Sequence, residues 1–423
     1  MGTWALKGHI CQSRDPQQIE ITENGYLIVE NGLSKGVFPT LPEQYRGLPV
    51  ADFGDRLIIP GMTDLHVHAP QFSFRGLGMD MELLDWLNTY AFPEEAKYRD
   101  LEYANRAYGM FAQRLKRSVT TRAVIFGTIH LPATELLMRI MDRTGLKTYV
   151  GKVNMDRNSP DYLREFDAEK SLRDTEEWII RNQCRFDNTK PILTPRFVPS
   201  CSDALMEGLG KLREKYALPV QSHLSENLGE VRWVKELCPY AAFYGDAYDR
   251  WGLFGGAGAC VMAHCVHSTD EELERMLANG VYVAHSPESN MNLASGVAPV
   301  RKYLDLGLHV GLATDLAAGS HESLLRAMMH AIQASKLRWR LLDDTLKPLT
   351  VDEVFYLATL GGGSFFGKVG CFRPGYELDA VILDDQDLPH PQRLDVRARL
   401  ERCVYLADDR NVYAKFVAGE RIL

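Results

Sequence analysis

Residues 58–71 read Ile58-Ile59-Pro60-Gly61-Met62-Thr63-Asp64-Leu65-His66-Val67-His68-Ala69-Pro70-Gln71. An apolar run leads into two histidines spaced two apart. On a strand, positions i and i+2 share a face, so the stretch reads as a strand, residues 58–68, ending in two imidazoles on one side. Neutral imidazole is a preferred ligand of zinc and similar divalent ions. On their own, His66 and His68 do not separate a metal site from two incidental strand histidines. The rest of the chain does.

Seven further short apolar segments follow: residues 123–126, 147–150, 191–193, 219–222, 259–262, 281–284 and 309–312. Longer amphipathic stretches lie between most of them, such as residues 101–116, 203–216, 270–279 and 323–337. Asp270 to Glu272 reads as an N-cap followed by first-turn acids, and Gly280 as the glycine that ends that helix. Strands alternating with helices predict parallel βαβ units. Eight of them fit an α/β (β/α)8 TIM-type barrel, whose usual size is about 250 residues or more. Both chain ends carry short β-like segments: residues 26–30 and 57–59, then 377–383, 402–406 and 412–417. The expectation is a small β-sandwich module built from residues 1–60 and 371–423, flanking a barrel over residues 61–370.

Composition narrows the function. The chain has 423 residues, 45% of them hydrophobic, enough for a large core, and its formal net charge is −8. A duplex-binding surface needs a basic excess, so nucleic acid is not an expected partner. The eight cysteines include no Cys-x-x-Cys pair, which suits idle thiols in a reducing compartment. No apolar run approaches the roughly eighteen residues of a membrane span, and the first 39 residues lack a signal-type apolar core. A soluble cytoplasmic protein is expected.

In such barrels reactive residues sit at the C-terminal ends of strands. The first strand ends at His66 and His68. The fifth ends at His223, with Glu226 three residues on; the sixth at His264; the eighth at Asp315. Any one of these side chains alone reads as a loop cap. Four strand ends each offering a metal-competent or proton-transfer group point to one metal site.

This pattern resembles the mononuclear deaminase branch of the amidohydrolase superfamily, and the likeness covers almost the whole chain. It implies that His66, His68, His223 and Asp315 bind one divalent ion, with His264 close by. The binuclear branch uses a carboxylated lysine on the fourth strand. Lys147 and Lys152 fall in the corresponding stretch, and Lys152 is the residue that leaves that alternative open. The chemistry requires these residue types. A bound zinc ion lowers the pKa of water from about 16 to about 7. Nitrogen must leave as ammonia, so a carboxylate has to carry a proton from water to the ring and the amine. Glu226 fits that shuttle, with a first-turn acid that complements a helix dipole as the plain alternative. Asp315 is expected both to ligate the ion and to accept the water proton, and His264 to hydrogen-bond the reacting oxygen.

Local words sharpen the likeness. His66–Gln71, Leu84-Asp-Trp-Leu-Asn-Thr-Tyr-Ala-Phe-Pro93, Thr128-Ile-His130, Thr194-Pro-Arg-Phe197 and His223-Leu-Ser-Glu-Asn227 are together similar to the guanine deaminase family. The resemblance implies that Gln71 and Arg196 hydrogen-bond a purine and that Trp86 and Phe197 line its faces. Physical chemistry supports part of this. Arg196 only donates, which matches the six-position oxygen of guanine and opposes the amino group of adenine. Gln71 offers a donor and an acceptor, and aromatic rings suit a flat heterocycle. The alternatives are core packing for Trp86 and Phe197 and a structural ion pair for Arg196. Two stretches depart from the family pattern: His285-Ser-Pro287 in place of His-Cys-Pro, and Asp315-Leu-Ala-Ala-Gly-Ser320 in the loop after the eighth strand. His130 and His285 stay open between lining the site and structure.

The expected activity is therefore hydrolysis of guanine to xanthine and ammonia. The enzyme rival is a related aminohydrolase acting on 8-oxoguanine, a pterin or a triazine. The rival from another class is a catalytically silent scaffold, which should have lost ligands or the shuttle acid. Small zinc deaminases are excluded, because the chain lacks their Pro-Cys-x-x-Cys. The expected cofactor is one divalent metal ion, zinc with Fe2+ as the other option. The expected partners are a small purine base and, by the family habit, a second copy in a homodimer, with no membrane contact.

Overall fold

The computed structural model describes residues 2–423. The chain opens with β1 (Thr3–Asp15), β2 (Gln18–Glu30), β3 (Leu33–Phe38) and β4 (Val50–Pro60), and closes with β15 (Ala380–Leu383), β16 (Val412–Val417) and β17 (Glu420–Arg421). These strands hydrogen-bond into one seven-stranded mixed sheet in the order β17-β16-β15-β4-β1-β2-β3, in which only β1 and β4 run parallel. Period-two alternation on β4 and β15 separates two cores. Ile58 and Ile382 pair and pack with Leu6, Leu27, Phe53 and Phe416 in the core of the end module. Their neighbours Leu57, Ile59, Val381 and Leu383 face the larger core on the other side. Both faces are buried along residues 57–60 and 380–383, so these paired segments are apolar throughout.

Between the two halves lies the barrel. Its strands are β5 (Met62–His68), β6 (Thr120–Phe126), β7 (Lys147–Gly151) with β8 (Val153–Asn154), β9 (Thr189–Pro191) with β10 (Thr194–Pro195), β11 (Val220–Leu224), β12 (Cys260–His264), β13 (Tyr282–His285) and β14 (His309–Leu312). Two parallel sheets, β5-β6-β7-β9 and β11-β12-β13-β14, carry most of the pairing. Backbone hydrogen bonds join them at both seams. On one side Leu193 N donates to Pro219 O (3.0 Å) and Gln221 N to Leu193 O (3.0 Å). On the other, Asp315 N donates to His66 O (2.9 Å) and His68 N to Leu316 O (3.2 Å). The interior is filled by Leu65, Val124, Ile192, Val261, Ala263, Ala284 and Ala313. Helices over Leu101–Arg117, Leu131–Asp142, Ala168–Asn182, Asp203–Tyr216, Leu228–Leu237, Asp270–Asn279 and Leu324–Leu341 form the outer layer. No helix among the described residues is long and apolar enough to cross a membrane.

Three local expectations change. The stretch 58–68 is two strands, broken at Gly61. A Cβ there would meet the side chain of Thr121 at 2.3 Å, so only glycine lets the chain pass from one sheet to the other. Residues 402–406 are not a strand but the end of the helix Val396–Leu406. Asp395 caps it by accepting from Ala398 N (2.7 Å), and Val396, Leu400, Cys403 and Val404 bury one helical face. Thr269, not Asp270, caps the helix Asp270–Asn279; Gly280 ends it at φ 64°.

Candidate active site

His66, His68, His223, His264, Asp315 and the nearby Glu226 converge at one mouth of the barrel, all of them buried or nearly so. The pairing of β5 with β6 shifts register between Asp64 and Val67. Bulges of this kind re-aim side chains beside sites. Here Leu65 joins the barrel interior while Val67 packs with the outer layer. The backbone at Ser225, His264, Cys265 and Asp315 takes positive φ, 46°, 74°, 50° and 46°. Such conformations cost a non-glycine residue about 1–3 kcal/mol and gather at functional sites.

His68 Nε2 and His223 Nε2 face each other at 3.2 Å. His66 Nε2 lies 3.2 Å and His68 Nε2 3.6 Å from Asp315 Oδ1. His223 Nδ1 donates to the backbone carbonyl of Arg196 (2.6 Å). In the neutral ring that leaves Nε2 with only a lone pair. Burial, followed by the charge of His66, holds His68 and His223 well below the usual histidine range, and burial lowers His66. Burial on its own would raise Asp315, yet the surrounding histidines hold it well below the carboxylate range. Neutral imidazoles and an ionised carboxylate gathered in a buried site offer a donor set that fits a divalent cation. His66, His68 and Asp315 offer ligand atoms within 4.8 Å of one another, as do His66, His223 and His264.

Glu226 stands beside this cluster. Its Oε2 is 3.4 Å from His264 Nε2, and its Oε1 accepts from Ser295 Oγ (3.3 Å). It precedes the helix Leu228–Leu237, whose cap is Asn227, so it is no first-turn acid. Burial and the neighbouring Asp315 charge raise it well above the carboxylate range, which favours the protonated form. His264 Nδ1 donates to Asn290 Oδ1 (2.9 Å) and its Nε2 lies 3.8 Å from Asp315 Oδ2.

A half-open pocket extends from the cluster. Gln71, Leu83, Trp86, Leu87, Arg196, Phe197, Leu293 and Ala318 line it together with His68, His223, Glu226, His264 and Asp315. All four residues expected at a ligand are there. Trp86 Nε1 donates to Leu77 O (3.2 Å), which fixes the indole plane. Arg196 also forms the buried ion pair that was its alternative, with Glu95. Lys152 is tied to Glu165 and lies 3.5 Å from Ser171 Oγ, and Lys147 donates to Asn188 Oδ1 (2.8 Å). His130 lines a separate groove with Tyr98, Tyr162 and Phe166. His285 does not line the pocket either; burial pushes it down to about 3. Nothing in the sequence singles out Glu95, Asn290 or Ser295. Glu94-Glu95 after Pro93 reads as ordinary first-turn acid, and no local pattern marks the other two.

The amidohydrolase family model matches residues 57–422. A guanine deaminase of Dictyostelium discoideum is 38% identical over 99% of this chain and 97% of its own length. One of Escherichia coli (strain K12) is 34% identical over 96% of this chain and 92% of its own. A solved guanine deaminase from C. acetobutylicum, with guanine bound in its active site, superposes with a TM-score of 0.97 at 47% identity, each chain fully covered. The chain belongs to the amidohydrolase family. Within it, the likeness runs at nearly full length to the guanine deaminases.

Proposed function

We propose that this chain hydrolyses guanine to xanthine and ammonia. The observation that carries the reading is one pocket with Arg196 and Gln71 on its wall and a cluster of four imidazoles, Asp315 and Glu226 beside them. The near-full-length likeness to guanine deaminases supports guanine over 8-oxoguanine, a pterin or a triazine.

His66, His68, His223 and Asp315 fit one divalent ion, with zinc the first choice and Fe2+ the second. The engagement of Lys152 with Glu165 supports a single-metal site. When bound, the ion supplies hydroxide at neutral pH by lowering the pKa of water to about 7. The protein side chains do the rest. Arg196 donates to the six-position oxygen, and Trp86 and Phe197 line the faces of the ring. Asp315 takes the proton from water. Glu226, whose burial favours the protonated form, delivers its proton to the ring nitrogen beside the carbon under attack, takes up the proton of the new C–OH and passes it to the departing amine, and is reloaded by the proton that Asp315 holds. His264 hydrogen-bonds the incoming oxygen. One C–O bond forms, the exocyclic C–N bond breaks, and water's second proton leaves with ammonia.

A homodimer and a cytoplasmic location belong to the same proposal, as does the division into residues 1–60, 61–370 and 371–423. The core shared by Leu6, Ile58, Ile382 and Phe416 supports that division. The test incubates metal-replete protein with guanine, adenine, cytosine, 8-oxoguanine and a pterin and follows ammonia. Release from guanine is expected. Release from 8-oxoguanine or a pterin, with none from guanine, overturns the reading.

A further inference from the structure

Behind the pocket wall, outside its lining, lies a carboxylate that joins the two residues assigned to the purine edge. Glu95 sits on the short helix Phe92–Ala96 and is 1% exposed. Its Oε1 accepts from Gln71 Nε2 (2.9 Å) and from Arg196 Nη2 (2.9 Å), and its Oε2 accepts from Arg196 Nη1 (2.5 Å). The guanidinium and the carboxylate are 3% and 2% exposed. Phe92, on the same helical turn, has its ring 5.1 Å from the Arg196 guanidinium carbon.

Two consequences follow for the edge that a base would meet. The first concerns Gln71. Its Oε1 accepts from Ala317 N (3.3 Å) while its Nε2 faces Glu95. Flipping the amide would set oxygen against carboxylate and N–H against N–H, so its two neighbours fix which end is donor and which acceptor. The second concerns Arg196. Glu95 uses one N–H of each Nη, which leaves three of the five donors for a ligand. The carboxylate also balances the buried cation, so the site offers oriented donors to a neutral carbonyl rather than a bare charge to an anion. Bidentate pairing of this kind fixes the plane of the guanidinium.

Resting on the guanine reading above, we infer that Glu95 is a positioning residue: it sets the hydrogen-bond polarity of Gln71 and Arg196 and thereby the preference for a ring with oxygen at the six-position. Glu95 touches no ligand and acts only through these two side chains. In Glu95→Gln the amide has one acceptor oxygen for three donors, and its own N–H2 must oppose Gln71 or Arg196.

The experiment compares zinc-loaded wild type, Glu95→Gln and Glu95→Asp. It measures kcat and KM for guanine, and the competitive inhibition constant (or KM, where it is turned over) of 2-aminopurine, which lacks the six-position oxygen. Metal content is measured on each preparation. Glu95→Gln is expected to raise the KM for guanine about tenfold or more with a smaller change in kcat, to leave the constant for 2-aminopurine within about twofold, and to keep its metal. Glu95→Asp keeps the charge and falls between; it also carries the test if the amide variant does not fold. Equal losses for both ligands, or an unchanged KM for guanine, overturn the inference alone. Wild type that releases no ammonia from guanine overturns the functional reading, and the inference with it.

Discussion

His223 and Arg196 are joined through the backbone: the imidazole Nδ1 donates to the Arg196 carbonyl at 2.6 Å, while the Arg196 side chain lines the pocket. One residue thus orients a metal-competent imidazole with its main chain and lines the pocket with its guanidinium. Partners behind a ligating histidine fix its tautomer, and losing such support weakens metal binding about 10–100-fold. Removing the imidazole itself goes further. His223→Ala is expected to lose at least about 100-fold in metal affinity, measured by competition with a chelator. Metal content and affinity equal to wild type would remove His223 from the ligand set.

A variant at Glu226 tests proton transfer apart from metal binding. Glu226→Gln keeps the shape and the acceptor for Ser295 but has no titratable proton. General acid–base groups contribute about 10²–10⁴-fold, so kcat should fall in that range while elemental analysis still finds the metal. Residual turnover within about tenfold of wild type contradicts the assigned shuttle.

The metal-competent set was legible because the barrel puts strand C-termini at one mouth. Once His66, His68, His223, His264 and Asp315 are read as strand-end residues, the topology does the gathering. Glu95 was hidden for the opposite reason. Its partners, Gln71 and Arg196, are 24 and 101 residues away, and its local word, Phe92-Pro93-Glu94-Glu95, is what any helix start contains. Residues 402–406 misled because five residues are too few to tell period two from period 3.6; the face formed by Val396, Leu400, Cys403 and Val404 needs the longer window. The break at Gly61 depends on Thr121, a residue of another strand, so no reading of 58–68 alone would find it.

Gly61→Ala tests that junction. The added methyl meets Thr121 Cγ2 and Oγ1 at 2.3 Å, and overpacking of this sort costs about 1–3 kcal/mol. Chemical unfolding should show the loss, with secondary structure unchanged in the folded state. Thr121→Ala in the same background removes the two nearest atoms and should restore part of the stability. No recovery in the double variant would point to backbone conformation, not the contact, as the source.

Glu230 gives a pH dependence whose sign can be worked out. It is fully buried and accepts from Tyr244 Oη (2.6 Å) and from the backbone N–H groups of Glu226 (3.1 Å) and Asn227 (3.3 Å). Burial, the largest cause, raises it from 4.5 to about 7. Between those values the folded protein binds more protons at this site than the unfolded chain does. Stability therefore falls as pH rises from 4.5 towards 7 and levels off above. The span corresponds to about 3 kcal/mol at most. Glu230→Gln keeps an acceptor and a donor but cannot ionise. Urea unfolding of metal-loaded wild type and variant from pH 5 to 8 should show wild type losing ground to the variant as pH increases. A stability difference that stays flat across this range, or that moves in favour of wild type, would mean that Glu230 is ionised throughout and that its three donors outweigh its burial.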